Sequence, residues 1–255
     1  MTRTDEGVQG HDAPREHPTR PVHPPVVWSP TSHLGASESV ARQITDLALE
    51  RLEAGLPLRV LGLCGPPGTG KSTVASMVAD LLESRGVAVA GLAPMDGFHL
   101  SNAVLEDLGR ADRKGAPDTF DVWGYIALLG RIRACTGPHD HPVCAPVYRR
   151  DLHEPVAAAT LVKPEGVVVT EGNYLALDVE GWREVRPLVD LLVHVDTSRA
   201  ELLRRLVARQ EAFGRDRVDA AHWVRTVDAA NIDLVEAGRQ RADAVVRATT
   251  TGDRS

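Results

Sequence analysis

Short apolar runs, separated by stripes of apolar residues at helical spacing, set out the plan of this chain. Residues 58–64 (LRVLGLC), 87–92 (VAVAGL), 166–172 (GVVVTEG), 191–196 (LLVHVD) and 244–247 (AVVR) read as strands. Several of these runs carry almost no polar alternation, which is the pattern of strands covered on both faces. Between them the period changes. Val40, Ile44, Leu47, Ala48 and Leu52 form one stripe, opened by Ser37 and Glu38 and stopped by Gly55; 73–82, 122–133, 199–210 and 223–235 read as further helices. The remainder of 101–160 is mixed, with a Pro/His-rich loop over 137–146. Strands alternating with helices predict an α/β fold: a three-layer sandwich around a five-stranded parallel sheet, with right-handed crossovers and the ligand at the carboxyl ends of the strands.

One strand-to-helix connection has defined chemistry. Gly65-Pro66-Pro67-Gly68-Thr69-Gly70-Lys71-Ser72, with Thr73 behind it, fits G-x-x-x-x-G-K-[ST] at every fixed position. The glycines let backbone N–H groups converge on a phosphate, and the helix start adds unpaired donors and the positive end of its dipole. Lys71 is expected to reach the β- and γ-phosphates and the Ser72 hydroxyl to ligate Mg²⁺. Residues 65–73 are therefore expected to bind ATP, in a P-loop NTPase sandwich.

The chain has 255 residues, 43% hydrophobic and 25% charged, enough for one domain with a full core, expected over 37–250. Its net charge of −6 argues against nucleic acid or an anionic membrane as main partners, since both demand a basic face. No apolar run is long enough to span a bilayer, and no signal-peptide core precedes the domain. Cys64, Cys135 and Cys144 give no disulfide framework, and Cys64 falls inside a predicted strand, so a reducing cytoplasm is the expected compartment. Residues 1–36 stand apart. Pro14, Pro18, Pro21, Pro24, Pro25 and Pro30 alternate with His11, His17, His23 and His33 and few aliphatics, which predicts a disordered tail. The sequence leaves a homodimer open.

A phosphate cradle fixes a donor but no reaction. No Asn-Lys-x-Asp element follows a strand and no Leu-Ser-Gly-Gly-Gln-like signature occurs, so a guanine switch and a transporter ATPase are set aside. A small-molecule kinase remains, in which an acceptor hydroxyl must be held near the γ-phosphate and give up its proton. Asp96, after the second strand and beside Gly97, is the expected base. Glu171 closes an apolar strand and is placed to act on Mg²⁺, with Ser72. Asp196 closes another strand but precedes Thr197-Ser198 and reads as the cap of the next helix. Arg204, Arg205 and Arg209 lie on a helix expected to form a lid over about 199–220, where one arginine could neutralise transition-state charge. Cys135, His139, His141 and Cys144 are zinc-type ligands at a spacing that matches no usual site, and read as a loop.

Taken together, GPPGTGKST at 65–73, PMDGFHL at 94–100, GRADRKGAPDTFDVWGY at 109–125, APVYRRDLHEPV at 145–156, VVVTEGNYL at 167–175 and RRLVARQEAFG at 204–214 resemble the kinases that include uridine kinase, phosphoribulokinase and bacterial-type pantothenate kinase. The resemblance spans roughly 40–247 and is nearest the nucleoside/nucleotide kinase-like branch. It implies ATP- and Mg²⁺-dependent phosphorylation of a hydroxyl on a nucleoside, sugar or pantothenate-like alcohol. It places Asp96 on the catalytic aspartate, and His99, Arg113, Lys114, Asp118, Asp121, Tyr148, Arg149, Glu171 and Tyr174 on the substrate side, with Arg205 and Arg209 in the lid. The chain departs from its relatives at Tyr148-Arg149-Arg150-Asp151, where Phe-Asp-Arg is common, and at Gln210, where an acid or histidine is common. The alternative is a nucleotide-binding regulatory module with slow ATP hydrolysis and no acceptor.

Overall fold

The structure, a computed structural model, describes residues 34–247. The tail expected over 1–36 lies outside the described residues except for its last three, which already belong to α1 (Leu34–Glu53). After it come β1 (Val60–Cys64), α2 (Lys71–Ser84), β2 (Val89–Leu92), α3 (Asn102–Asp107), α4 (Val122–Ala134), β3 (Val143–Arg149), β4 (Glu154–Val162), β5 (Val167–Gly172), β6 (Leu191–Asp196), α5 (Arg199–Ala212), α6 (Arg217–Trp223), α7 (Ala229–Ala237) and β7 (Ala244–Arg247).

Five strands form one parallel sheet in the order β2-β5-β1-β6-β7. Every residue of β1, β5 and β6 is buried, because side chains that alternate across the sheet meet helices on both sides. Leu61, Leu63, Val169 and Val193 pack with Val40, Ile44, Val78 and Leu82 of α1 and α2. Val60, Val168 and Leu192 pack on the other face with Tyr125, Leu129 and Ile132 of α4, together with Tyr174 and Trp182. A third, small cluster of Leu202, Leu206, Val224 and Ile232 gives α5 and the helices after it a core of their own.

The amino ends of the strands are tied by one side chain. Arg59 donates to the carbonyls of Ile132 (3.2 Å), Cys135 (2.9 Å), Lys163 (3.0 Å) and Gly166.

Two expectations are corrected by the fold. The end of the 137–146 segment is not loop: β3 and β4 form an antiparallel hairpin whose register shifts between Ala145 and Val147. Its sequence hides it, since Pro146 interrupts β3 and three successive alanines (Ala157–Ala159 in β4) have low strand propensity. Asp196 is not the helix cap. Ser198 holds that position, accepting from the Glu201 N–H, while Asp196 Oδ2 accepts from Arg239 (3.2 Å) and Arg247 (2.9 Å).

Candidate active site

The glycine loop leaves β1 at Gly65, whose φ of 144° and whose approach to Val195 exclude any side chain: a Cβ there would stand 2.5 Å from the Val195 carbonyl oxygen. The loop turns back into α2 at Gly70 (φ 89°). Lys71, at the first position of α2, is buried, and its ammonium donates to the Pro66 carbonyl (2.9 Å), the Thr69 hydroxyl (3.4 Å) and Asn173 Oδ1 (2.8 Å). Burial lowers its pKa, opposed by Glu171 and Asp96. The Ser72 hydroxyl donates to Glu171 Oε1 at 2.8 Å.

Glu171 ends the apolar run of β5 beside β1, with Leu63 as its register partner. Its carboxyl is pushed up to about 7, first by burial and then by Asp96, against the pull of Lys71 and the Ser72 hydroxyl. Asp96 sits in a one-turn 3₁₀ helix (Met95–Phe98) at the carboxyl end of β2. Beside it Gly97 admits the hairpin: a Cβ would lie 2.4 Å from the Pro146 carbonyl oxygen. The Asp96 side chain makes no hydrogen bond among the described residues, and it lines the same cleft as Lys71, Ser72 and Glu171.

That cleft has a volume of about 890 Å³, at the large end for a small-molecule site. The P-loop closes one end, through Pro67, Gly68, Gly70, Lys71, Ser72 and Thr73; Gly65, Pro66 and Thr69 support it from beneath. Lys114, Arg150, Arg205, Arg209 and Arg215 join Lys71 on its walls, facing Asp96, Glu171 and Asp228. Six basic groups against three acidic ones, in a chain of net charge −6, mark a cavity shaped for anions.

His99 lines the same cleft. Its ring lies between Phe120 (4.0 Å between centroids) and Tyr148 (4.6 Å). Nδ1–H donates to the Asp96 carbonyl at 2.8 Å, which leaves Nε2 as an acceptor, and burial lowers the pKa, which favours the neutral ring. Lys114 donates to the His153 carbonyl at 2.7 Å and to Asn102, and its ammonium lies 5.4 Å from the Tyr148 ring centre.

Several expected residues do not reach the cleft. Arg113 pairs with Asp118 (2.9 Å) in a half-exposed contact, which holds the 109–121 segment in shape. Asp121 caps α4 by accepting from the Gly124 N–H at 2.8 Å. Tyr174 is fully buried, and its hydroxyl donates to the Gly115 carbonyl at 2.5 Å. Arg149 pairs with Asp151 on the outside of the hairpin, and the next residue, Arg150, faces the cleft instead.

The lid arginines differ. Arg205 is engaged by Glu201 (2.7 Å) and by the Gly68 carbonyl (3.3 Å). Arg209 lines the cleft with no hydrogen bond among the described residues; burial lowers its pKa, and Asp228, Arg150 and Asp96 are its charged neighbours. Phe213, at the carboxyl end of α5, meets His153 of the hairpin edge to face at 5.8 Å, and both line the cleft.

Sequence reasoning missed Asn173, Arg150, Arg215, Asp228 and Asn231, all on the cleft wall. Asn173 follows the Glu171-Gly172 pair and could have been found from its place at a strand end. The other four carry no such signal.

Among the described residues no group of three or more His, Cys, Asp or Glu side chains is arranged to hold a metal, and no helix is long and apolar enough to cross a membrane. The hydroxyl of Ser72 and the carboxylate of Glu171 are hard oxygen donors that fit Mg²⁺, which takes few protein ligands and leaves the rest to phosphate and water.

The sequence model of the family described as Phosphoribulokinase / Uridine kinase matches residues 60–255. The chain is 34% identical over 196 residues to the uncharacterized protein YggC of Escherichia coli (strain K12), covering 76% of this chain and 79% of that one. It is 29% identical over 199 residues to a protein of Schizosaccharomyces pombe provisionally named uridine kinase C227.14, covering 74% of this chain and 82% of that one. A crystal structure from Silicibacter sp. TM1040, provisionally assigned as a fructose transport system kinase, superposes with a TM-score of 0.72 at 34% identity, over 81% of this chain and 98% of that one.

Proposed function

The chain belongs to the phosphoribulokinase / uridine kinase family, and on that premise we propose that it transfers the γ-phosphate of ATP to a hydroxyl of a small metabolite. The observation that carries the reading is the convergence of Lys71, Glu171 and Asp96, from the ends of three parallel elements, on one cleft with an excess of basic side chains.

The loop backbone and Lys71 bind the β- and γ-phosphates; the bonds Lys71 now makes to the Pro66 carbonyl and Asn173 mark where phosphate oxygens exchange in. Ser72 and Glu171 would hold Mg²⁺, which when bound neutralises charge on the β- and γ-oxygens. Asp96, with no partner for its carboxylate, accepts the proton of the attacking hydroxyl, while His99 orients the acceptor. Arg209 closes on the transferring phosphoryl group. The resemblance implies a nucleoside, a sugar or a pantothenate-like alcohol as acceptor, and of these the pantothenate-like alcohol would bring an anionic group to Lys114 and Arg150. The compartment that fits this reading is a reducing cytoplasm, which the free thiols of Cys64, Cys135 and Cys144 support.

Labelled ATP incubated with the protein and a metabolite panel tests the proposal. Transfer to an acceptor well above hydrolysis to water is expected. Hydrolysis alone, across the whole panel, would reduce the chain to a nucleotide-binding regulatory module.

A further inference from the structure

We infer that Asp228 is a specificity-determining residue that accepts a hydrogen bond from a second, non-reacting hydroxyl of the acceptor. The inference rests on the kinase reading above.

Asp228 is 6% exposed and lines the cleft, yet its Oδ2 has no hydrogen-bond partner among the described residues. A buried carboxylate oxygen without a donor is costly, and folded proteins hold few of them. The residue stands at the end of a π-helical turn (Val224–Asp228) set between α6 and α7. Single π-helical turns inside helices are rare and frequently lie at functional sites. The extra residue rotates α7 by about 100° relative to a continuous α-helix, and both Asp228 and Asn231 come to lie on the cleft wall.

The neighbours narrow the chemistry of the missing donor. Burial pushes the Asp228 carboxyl up, while the charges of Arg209 and Arg215 and then a hydrogen bond from the Gln210 side chain pull it back, which leaves Oδ2 as the oxygen without a donor. Neither arginine forms an ion pair with it among the described residues, so Asp228 is not their anchor in this structure. Two guanidinium groups among its charged neighbours disfavour an ammonium, which leaves a neutral O–H as the fitting donor. Arg209 lies within electrostatic reach of both Asp228 and Asp96. One small molecule can therefore offer a reacting hydroxyl to Asp96 and a second hydroxyl to Asp228.

The test uses the full chain with ATP, Mg²⁺ and a panel of pentoses, hexoses, sugar acids, nucleosides and primary mono-alcohols, followed by the monodeoxy analogues of each acceptor found. In the wild type, loss of one non-reacting hydroxyl is expected to lower kcat/KM by roughly 10²-fold, the effect of stranding a buried acceptor. Asp228→Ala should bring the parent polyol down to the level of that deoxy analogue and leave the analogue itself within about 3-fold. Asp228→Asn, which keeps an accepting oxygen, should retain part of the discrimination. Removal of the buried charge should also leave the Tm of the ligand-free Asp228→Asn protein equal to or above wild type. A lower Tm, or an equal loss on the parent and all its deoxy analogues, would overturn the inference. Mono-alcohols phosphorylated as fast as polyols would overturn it while leaving the kinase reading intact. Hydrolysis without transfer to any acceptor would overturn both.

Discussion

The Ser72 hydroxyl donates to Glu171 Oε1 over 2.8 Å, joining the first turn of α2 to the carboxyl end of β5. Among the described residues the pair is the one hydrogen bond between side chains that joins the glycine loop to an acidic strand end, and it fits the hard-cation site of the proposed kinase. Glu171→Gln keeps the shape and removes the charge. We expect kcat to fall by about 10²-fold and the Mg²⁺ concentration for half-maximal rate to rise, with nucleotide binding in the absence of metal little changed. An unaltered Mg²⁺ dependence, read from initial rates, would remove Glu171 from the metal site.

The same carboxyl gives a pH signature in stability. Its pKa is about 7 in the folded protein against an ordinary value of 4.5. The folded state thus holds a proton that the unfolded state releases. The stabilisation is complete below pH 4.5 and is lost as pH rises through 7. In Mg²⁺-free buffer the Tm of Glu171→Gln minus that of wild type should grow between those limits, and saturating Mg²⁺ should shrink the difference. A difference that stays flat across pH in thermal melts contradicts this placement.

Asp96 lines the cleft without a partner for its carboxylate, as a base awaiting a hydroxyl would. Asp96→Asn should lower turnover by about 10²-fold or more with ATP affinity nearly intact. Steady-state kinetics beside nucleotide titration will separate the two, and unchanged turnover would take Asp96 out of the chemistry.

Arg205 and Arg209 stand one turn apart on α5 but meet different partners. Arg209, free in the cleft, is expected to act on the transition state: Arg209→Ala should lower kcat by about 10³-fold with a small change in the KM for ATP. Arg205 braces the Gly68 carbonyl, so Arg205→Ala should act mainly on the KM for ATP. The reverse assignment of kcat and KM effects would exchange their roles.

The Tyr174 hydroxyl holds the Gly115 carbonyl from within the core. Tyr174→Phe should cost about 1 kcal/mol in denaturant melts and raise the KM for the acceptor, since the 109–121 segment loses its tether. A loss confined to kcat would instead make Tyr174 a participant in the reaction.

The sheet was legible because a strand buried on both faces must be apolar almost throughout, and 166–172 and 191–196 are. The phosphate end of the site was legible for a related reason: a glycine loop between such a strand and a helix admits few other uses. The acceptor end was not. On the hairpin a shift of one residue exchanges the two faces, and so Arg149 points outward while Arg150 enters the cleft. Asp228 ends a π-helical turn and Asn231 follows it, and the turn breaks the 3.6 period by which a helix face is read. The resemblance sets Tyr174 on the substrate side, yet its ring fills the core beside Phe120 and Trp182.

The four carbonyls gathered by Arg59 lie at the amino ends of the strands, the far edge of the sheet from the cleft. The molecule is in this respect a pair of tweezers, riveted at the base and open at the tips. Amide protons around Val60 and Val167 should be among the last to exchange with solvent. Cutting the rivet with Arg59→Met should speed exchange at the base first and blunt the tips only as a consequence.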